Sequence, residues 1–206
     1  MRASTEEIVQ FAAGLIVDGV RLDTRELALR FEMSRTTLFR RVGNREELMG
    51  KALWWLADRA LERAVARWDE QYGQALHDER DVLRCLRILE FYGEVAVNDA
   101  GFVGLLENEP VVAMRVLTDP HGQVQPRVVA AHVALFERDA ADGGFVPLVD
   151  LPTLGYAAVR LQEAILYSDV LTGHTANFPT AVLLVRKLVE GVLRGPSGDI
   201  ARSTLV

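Results

Sequence analysis

The chain has 206 residues and one cysteine, Cys85. A single thiol closes no intrachain disulfide and builds no thiolate metal cluster. Set in an apolar helical pattern, it reads as a small core residue. Long apolar runs are missing: none approaches the ~20 residues of a membrane span, so no membrane partner is expected. The N-terminus has no basic segment leading into an apolar run with a cleavage site, so the expected location is cytoplasmic. The common catalytic motifs are missing as well. There is no G-x-G-x-x-G, no P-loop, no H-E-x-x-H and no G-x-S-x-G. The four histidines, His77, His121, His132 and His174, have no ligand spacing and read mostly as surface residues. Asp139 and Asp142 beside Gly143 do not fit a calcium loop. No catalytic residue, metal site or cofactor is therefore expected.

Strand-like alternation of any length is also lacking. Helical periodicity takes its place, with Pro and Gly as punctuation, so the expected class is all-α. The spacing predicts helices over about 5–18, 24–31 and 35–41. A long helix starts near Arg45, where Asn44 and Glu47 form a capping-box arrangement. Six more are predicted over about 79–97, 101–107, 110–118, 124–142, 152–172 and 178–194. Pro110, Pro126, Pro152 and Pro179 stand near helix starts, where a missing N–H costs little. A flexible tail is expected over 195–206.

The net charge of -6 argues against a generic nucleic-acid binder, but the charge is unevenly spread. Residues 1–67 hold 12 basic and 10 acidic residues, and the remainder 11 and 19. A mildly basic end on an acidic body can be aimed at phosphate. Within the basic end, two short helices are separated by about three residues. Leu27, Ala28 and Phe31 on the first can pack on Leu38 and Val42 of the second, with Ser34 as its cap and Met33 in the turn. That is the apolar skeleton of a helix-turn-helix, whose second helix enters the major groove.

Residues 34–45 contain four arginines and no acid. On a helical wheel Leu38 and Val42 point inward, whereas Thr36, Thr37, Arg40 and Arg41 share the opposite side. Arg35 sits at the N-terminal tip, where recognition helices touch base edges. Arginine can bind guanine bidentately, and threonine offers a hydroxyl and a methyl. Arg41 and Arg45 are placed for phosphates. The competing reading of this face is a solvated basic surface.

The stretch from Leu27 to Leu48 resembles the DNA-binding signature of the TetR family of regulators, with Ser34, Thr37, Leu38, Arg45, Glu47 and Leu48 as the matching residues. The resemblance implies base contacts from Arg35, Thr36 and Thr37 and backbone contacts from Arg40, Arg41 and Arg45. Three positions depart. Glu32 stands where a turn glycine is usual, Phe39 replaces a tyrosine and loses a phosphate-contacting hydroxyl, and Arg41 replaces a histidine. Residues 91–95, 115–120, 124–127 and 159–173 resemble the C-terminal domain of QsdR-like members. That likeness implies a ligand-binding, dimerising body, a four-helix seam with a partner copy, and lactone signals as an effector class.

The periodicity of 152–172 gives an independent reading. Ala157, Ala158, Leu161, Ala164 and Ile165 form one apolar face, and Val159, Leu166 and Val170 another. Tyr156, Arg160, Glu163 and Tyr167 fall between them within a wedge of about 60°. Arg160 and Glu163 can pair at i, i+3. The pair reads either as a structural ion pair or as a polar anchor in an apolar cavity walled by Tyr156 and Tyr167. Tyr92 joins this effector set, and Trp55, Phe91 and Met114 are cavity or core candidates. On the last helix, Ala181, Leu184, Val185, Leu188 and Val192 form a stripe suited to homodimerisation.

The expected organisation is thus a three-helix DNA-binding domain over 1–50, linked through the long helix 45–75, followed by an effector-binding and dimerisation domain over 51–194. The function expected is a ligand-responsive DNA-binding repressor. Its partners would be double-stranded operator DNA, a small-molecule effector and a second copy of the chain. Two alternatives remain open: a helical interaction module whose basic patch binds an acidic partner, and a helical enzyme with a site assembled from distant residues.

Overall fold

A computed structural model describes residues 3–172 and 178–194. The first three helices are α1 (Thr5–Val17), α2 (Thr24–Arg30) and α3 (Arg35–Val42). Each begins where a short polar side chain accepts an otherwise orphaned backbone N–H. Ser4 forms a capping box with Glu7, Asp23 accepts from Arg25 and Glu26, and Ser34 accepts from Thr37. The inward faces of the three helices meet around Ile8, Ala12, Leu27, Leu38 and Val42, all buried. Phe31 meets the ring of Phe11 edge-on at 5.5 Å. The turn between α2 and α3 keeps a left-handed residue even without glycine: Glu32 has φ 50°. A β-carbon is strained there.

The fourth helix, α4 (Arg45–Tyr72), runs 28 residues from its Asn44 cap. Its first turns bury Leu48, Met49, Ala52 and Leu53 in the core shared with α1–α3, whereas Ala64 and Trp68 belong to a second core in the body. The first core also takes in Leu106, Ala113 and Val116 from later helices. A cut at residue 50 thus divides the chain but not its packing.

The body consists of α5 (Arg84–Asn98), α6 (Ala100–Asn108), α7 (Pro110–Thr118), α8 (Gln125–Ala141), α9 (Leu151–Thr172) and α10 (Phe178–Gly191). Most boundaries fall within two residues of those predicted. Two differ for physical reasons. The helix expected from 79 starts at Arg84, because the Asp78 carboxylate accepts the N–H groups of Arg80 and Val82 and ties 78–82 into a loop. Local side-chain bonds of this kind compete with helix formation. The last helix ends at Gly191 rather than 194, and Leu193–Arg194 (β2) pairs antiparallel with Val146–Pro147 (β1). The expected tail 195–206 and His174 lie outside the described residues.

A buried charge network fixes α5 against α8. Arg84 donates to Asp139 at 2.6 Å and to Asp142 at 2.5 Å, and Asp139 also accepts the N–H of Cys85 at 2.6 Å. Arg84 and Asp139 are almost wholly buried. Removing one partner would strand a charge, at a cost of about 3–5 kcal/mol. The two aspartates are thus engaged by a guanidinium. Cys85 is the buried core residue expected. His132, by contrast, is buried rather than at the surface, its Nδ1 2.9 Å from the carbonyl of Val128.

The stripe expected on α10 divides. Val185 is buried in the chain's own core, whereas Leu184 is half exposed beside Leu183. The side chains of Ala181 and Leu188 lie outside the described residues.

The start of α6 lies against the end of α1. A β-carbon at Gly101 would overlap the carbonyl oxygens of Ile16 and Val17. Because backbone stands in the way, Gly101→Ala is expected to destabilise the chain by about 1–3 kcal/mol. Thermal denaturation checks this; an unchanged melting temperature would show that the α1–α6 contact relaxes freely.

Candidate functional site

The outward side of α3 carries the predicted recognition residues. Arg35, Thr36, Phe39 and Arg40 are exposed, whereas Leu38 and Val42 behind them are fully buried. The hydroxyl of Thr37 is 2.9 Å from that of Ser34, so part of its polarity is used in the cap. The Arg35 guanidinium lies over the Phe39 ring at 5.6 Å. Phe39 therefore shelves the arginine that leads the helix, an arrangement typical of cation–π pairs.

The other two arginines face inward partners. Arg41 donates to the carbonyl of Ala3 and ties the start of the chain to α3. Arg45 donates to the carbonyl of Leu22 at 2.7 Å and to Glu109 at 2.6 Å. Glu109 also lies 3.5 Å from Arg21. Lys51 donates to the carbonyl of Val42 at 2.9 Å and satisfies the end of α3. So among the described residues Arg35 and Arg40 carry the exposed cationic surface of α3, whereas Arg45 spans from the start of α4 to Glu109, the residue that precedes α7.

A cavity of about 170 Å³ lies in the body, walled by α5–α10. Aliphatic and aromatic side chains supply most of the wall, among them Leu86, Phe102, Leu117, Val128, Val159 and Val189. Polar groups gather on two sides. On one, the buried Gln125 donates to both oxygens of Glu163 at 3.1 and 3.2 Å. Arg160 reaches the same carboxylate at 2.6 Å from outside the lining. On the other, Glu90 accepts from Arg87 at 2.6 Å and from Arg186 at 2.8 Å. Burial pushes the Glu163 carboxyl above the usual range, against the opposing pull of Gln125 and Arg160. Burial also pushes the Tyr92 hydroxyl up to about 12 and the Tyr167 hydroxyl well up.

Of the predicted effector residues, the cavity brings together Tyr92, Glu163 and Tyr167. Arg160 stands at its edge, 47% exposed. Tyr156 is 52% exposed and does not reach the cavity. The wheel placed Tyr156 and Tyr167 on one side, which is correct in azimuth. They are three turns apart along the axis, and only the later turn meets the cavity. Trp55, Phe91 and Met114 are absent from the lining too; Phe91 packs beneath the guanidiniums of Arg67 and Arg87.

Residues 82–190 match the family described as tetracyclin repressor-like, C-terminal domain. The chain belongs to the TetR family. Members of that family are DNA-binding transcription regulators. The fold is also that of the TetR-family transcriptional repressor QsdR from R. erythropolis, with a TM-score of 0.77 and 24% identity. That likeness covers 94% of this chain and 97% of the other. No curated protein matches the sequence. No helix among the described residues is long and apolar enough to cross a membrane.

Several residues of this TetR-family chain escaped the sequence reading. Gln125 could have been noticed as the uncharged polar residue between Val124 and Pro126 at the start of α8. Glu90 and Arg186 are 96 positions apart and carry no local signal of their pairing. Glu109 could not have been linked to Arg45, 64 positions earlier.

The Arg45 hydrogen bond holds the Glu109 carboxyl below the usual glutamate range. A carboxylate lowered on folding adds stability above its unfolded pKa and loses it as pH falls through the folded value. The melting-temperature gap between wild type and Glu109→Gln should thus be full at neutral pH. It should close as pH drops below the ordinary value of about 4.3. A gap that persists in acid would assign the effect to packing.

Proposed function

We propose that this chain is a ligand-responsive transcriptional repressor that binds operator DNA as a homodimer through α3. One observation carries the reading. The exposed Arg35–Arg40 face of α3 is joined to the effector cavity through packed elements, with α6 presenting Phe102 to the cavity and Gly101 to α1. Two copies would set two recognition helices in successive major grooves of a near-palindromic site, one turn or a small multiple apart. Arg35 and Thr36 read base edges. Arg40 contacts phosphate, with Arg41 and Arg45 supporting the helix from behind and adding positive potential.

A small, largely apolar effector would occupy the cavity and favour a conformer in which the two α3 helices are wrongly spaced. Release requires that the effector prefer that conformer over the DNA-bound one. The resemblance to QsdR-like regulators extends this reading to lactone signals. The half-exposed Leu183 and Leu184 on α10, together with α9, support a dimer seam.

Fluorescence anisotropy with DNA from the chain's own upstream region tests the reading. Affinity should fall steeply between low and moderate salt. Arg35→Ala should lose about 1–3 kcal/mol of discrimination at one base position. Arg40→Ala should weaken all sequences about equally and lower the salt slope by about one. Salt-insensitive binding, or none to any fragment of that region, would overturn the reading.

A further inference from the structure

The cavity's polar groups are unevenly matched. Among the described residues its charged lining consists of two carboxylates, Glu90 and Glu163, and one guanidinium, Arg186, with Tyr92, Gln125, Gln162 and Tyr167 as neutral polar groups. Arg186 donates from Nη1 to Glu90 at 2.8 Å, and its Nε lies 3.3 Å from Glu190 without a hydrogen bond. Arg87, behind Glu90, donates to it at 2.6 Å and has its Nε 3.6 Å from Asp78. Each cation around Glu90 thus lies between two protein carboxylates.

Glu163 is in a different position. Its Oε2 receives the short bond from Arg160, whereas Oε1 receives only the 3.1 Å contact from Gln125 among the described residues. A carboxylate has about four acceptor sites, so Oε1 retains capacity on the cavity side. Gln125, 4% exposed, fixes the carboxylate in place. A hydrogen-bond donor entering here meets a charged, pre-oriented acceptor in apolar surroundings, where such bonds are strong. An entering carboxylate meets like charge at Glu163, and burial raises that penalty.

We infer that the effector is a small amphiphile whose apolar part fills the Leu86–Phe102–Val189 walls and whose hydrogen-bond-donating head is received by Glu163 Oε1 beside Gln125. Donors of this class are a hydroxyl, an amide N–H or an ammonium; carboxylates are rejected. The inference rests on the reading of the cavity as the effector site. The cavity volume suits a chain of about six carbons, since an engineered cavity of about 150 Å³ holds benzene.

The test is a matched series of hexanol, hexylamine, hexanoate and butyl methyl ketone, titrated against the full chain at neutral pH by ligand-observed NMR. Hexanol and hexylamine should bind at least about tenfold more tightly than hexanoate and the ketone, the expected effect of a hydrogen bond to a charged group. Glu163→Gln should bring hexylamine and hexanoate within about threefold of each other, with circular dichroism confirming the fold. Should that variant not fold, Glu163→Asp withdraws the carboxylate by one methylene and should weaken hexanol binding by about tenfold. Ala158→Phe, which fills the cavity, should abolish binding of every probe.

Equal or tighter binding of hexanoate or the ketone, abolished by Ala158→Phe, overturns the donor class and leaves the effector site standing. Discrimination unchanged in the folded Glu163 variant also overturns it. No binding of any probe to the wild type, or binding indifferent to Ala158→Phe, overturns the effector site and the inference together.

Discussion

The backbone of α1 approaches α6 only because position 101 has no side chain. The carbonyls of Ile16 and Val17 occupy the space where a β-carbon would stand. The next residue, Phe102, faces the cavity. The single helix α6 thus carries a cavity-lining residue on one side and rests backbone against backbone on α1 on the other. At its far end, Glu109 grips Arg45 and approaches Arg21. A shift of α6 toward or away from the cavity must disturb both contacts, because a close-packed interior does not absorb displacement smoothly.

The long helix α4 supplies the rigidity that makes such a disturbance matter. A helix of 28 residues is roughly 42 Å long at 1.5 Å per residue. A tilt of 5° about its body end would move its N-terminal end by roughly 4 Å. Since α4 begins three residues after α3 ends, α3 follows. In a dimer the displacement of each copy adds to a change in spacing, to which a site with fixed groove repeat is sensitive.

What was legible in the sequence was local. Ser34 and Asn44 announced helix starts because a cap is a contact between residues two or three apart. Leu38 and Val42 announced the inner side of α3 because burial follows the helical period. The failures have equally specific causes. Asp78 pulled 78–82 out of helix through bonds that composition does not show. Tyr156 shares its azimuth with Tyr167 but not its height along α9. The bond from Arg45 to Glu109 went unforeseen because nothing near Arg45 in sequence reveals it. The cavity's two polar clusters are assembled from four helices, so only Glu163 and the two tyrosines, which stand on strongly patterned helices, could be picked out beforehand.

The bond between Arg41 and the carbonyl of Ala3 gives the start of the chain a second role. Ala3, just ahead of the Ser4 cap, acts as a backstop for α3, replacing solvent behind one of its arginines. A change in the backbone at Ala3 would therefore be felt at a guanidinium 38 positions later in the chain.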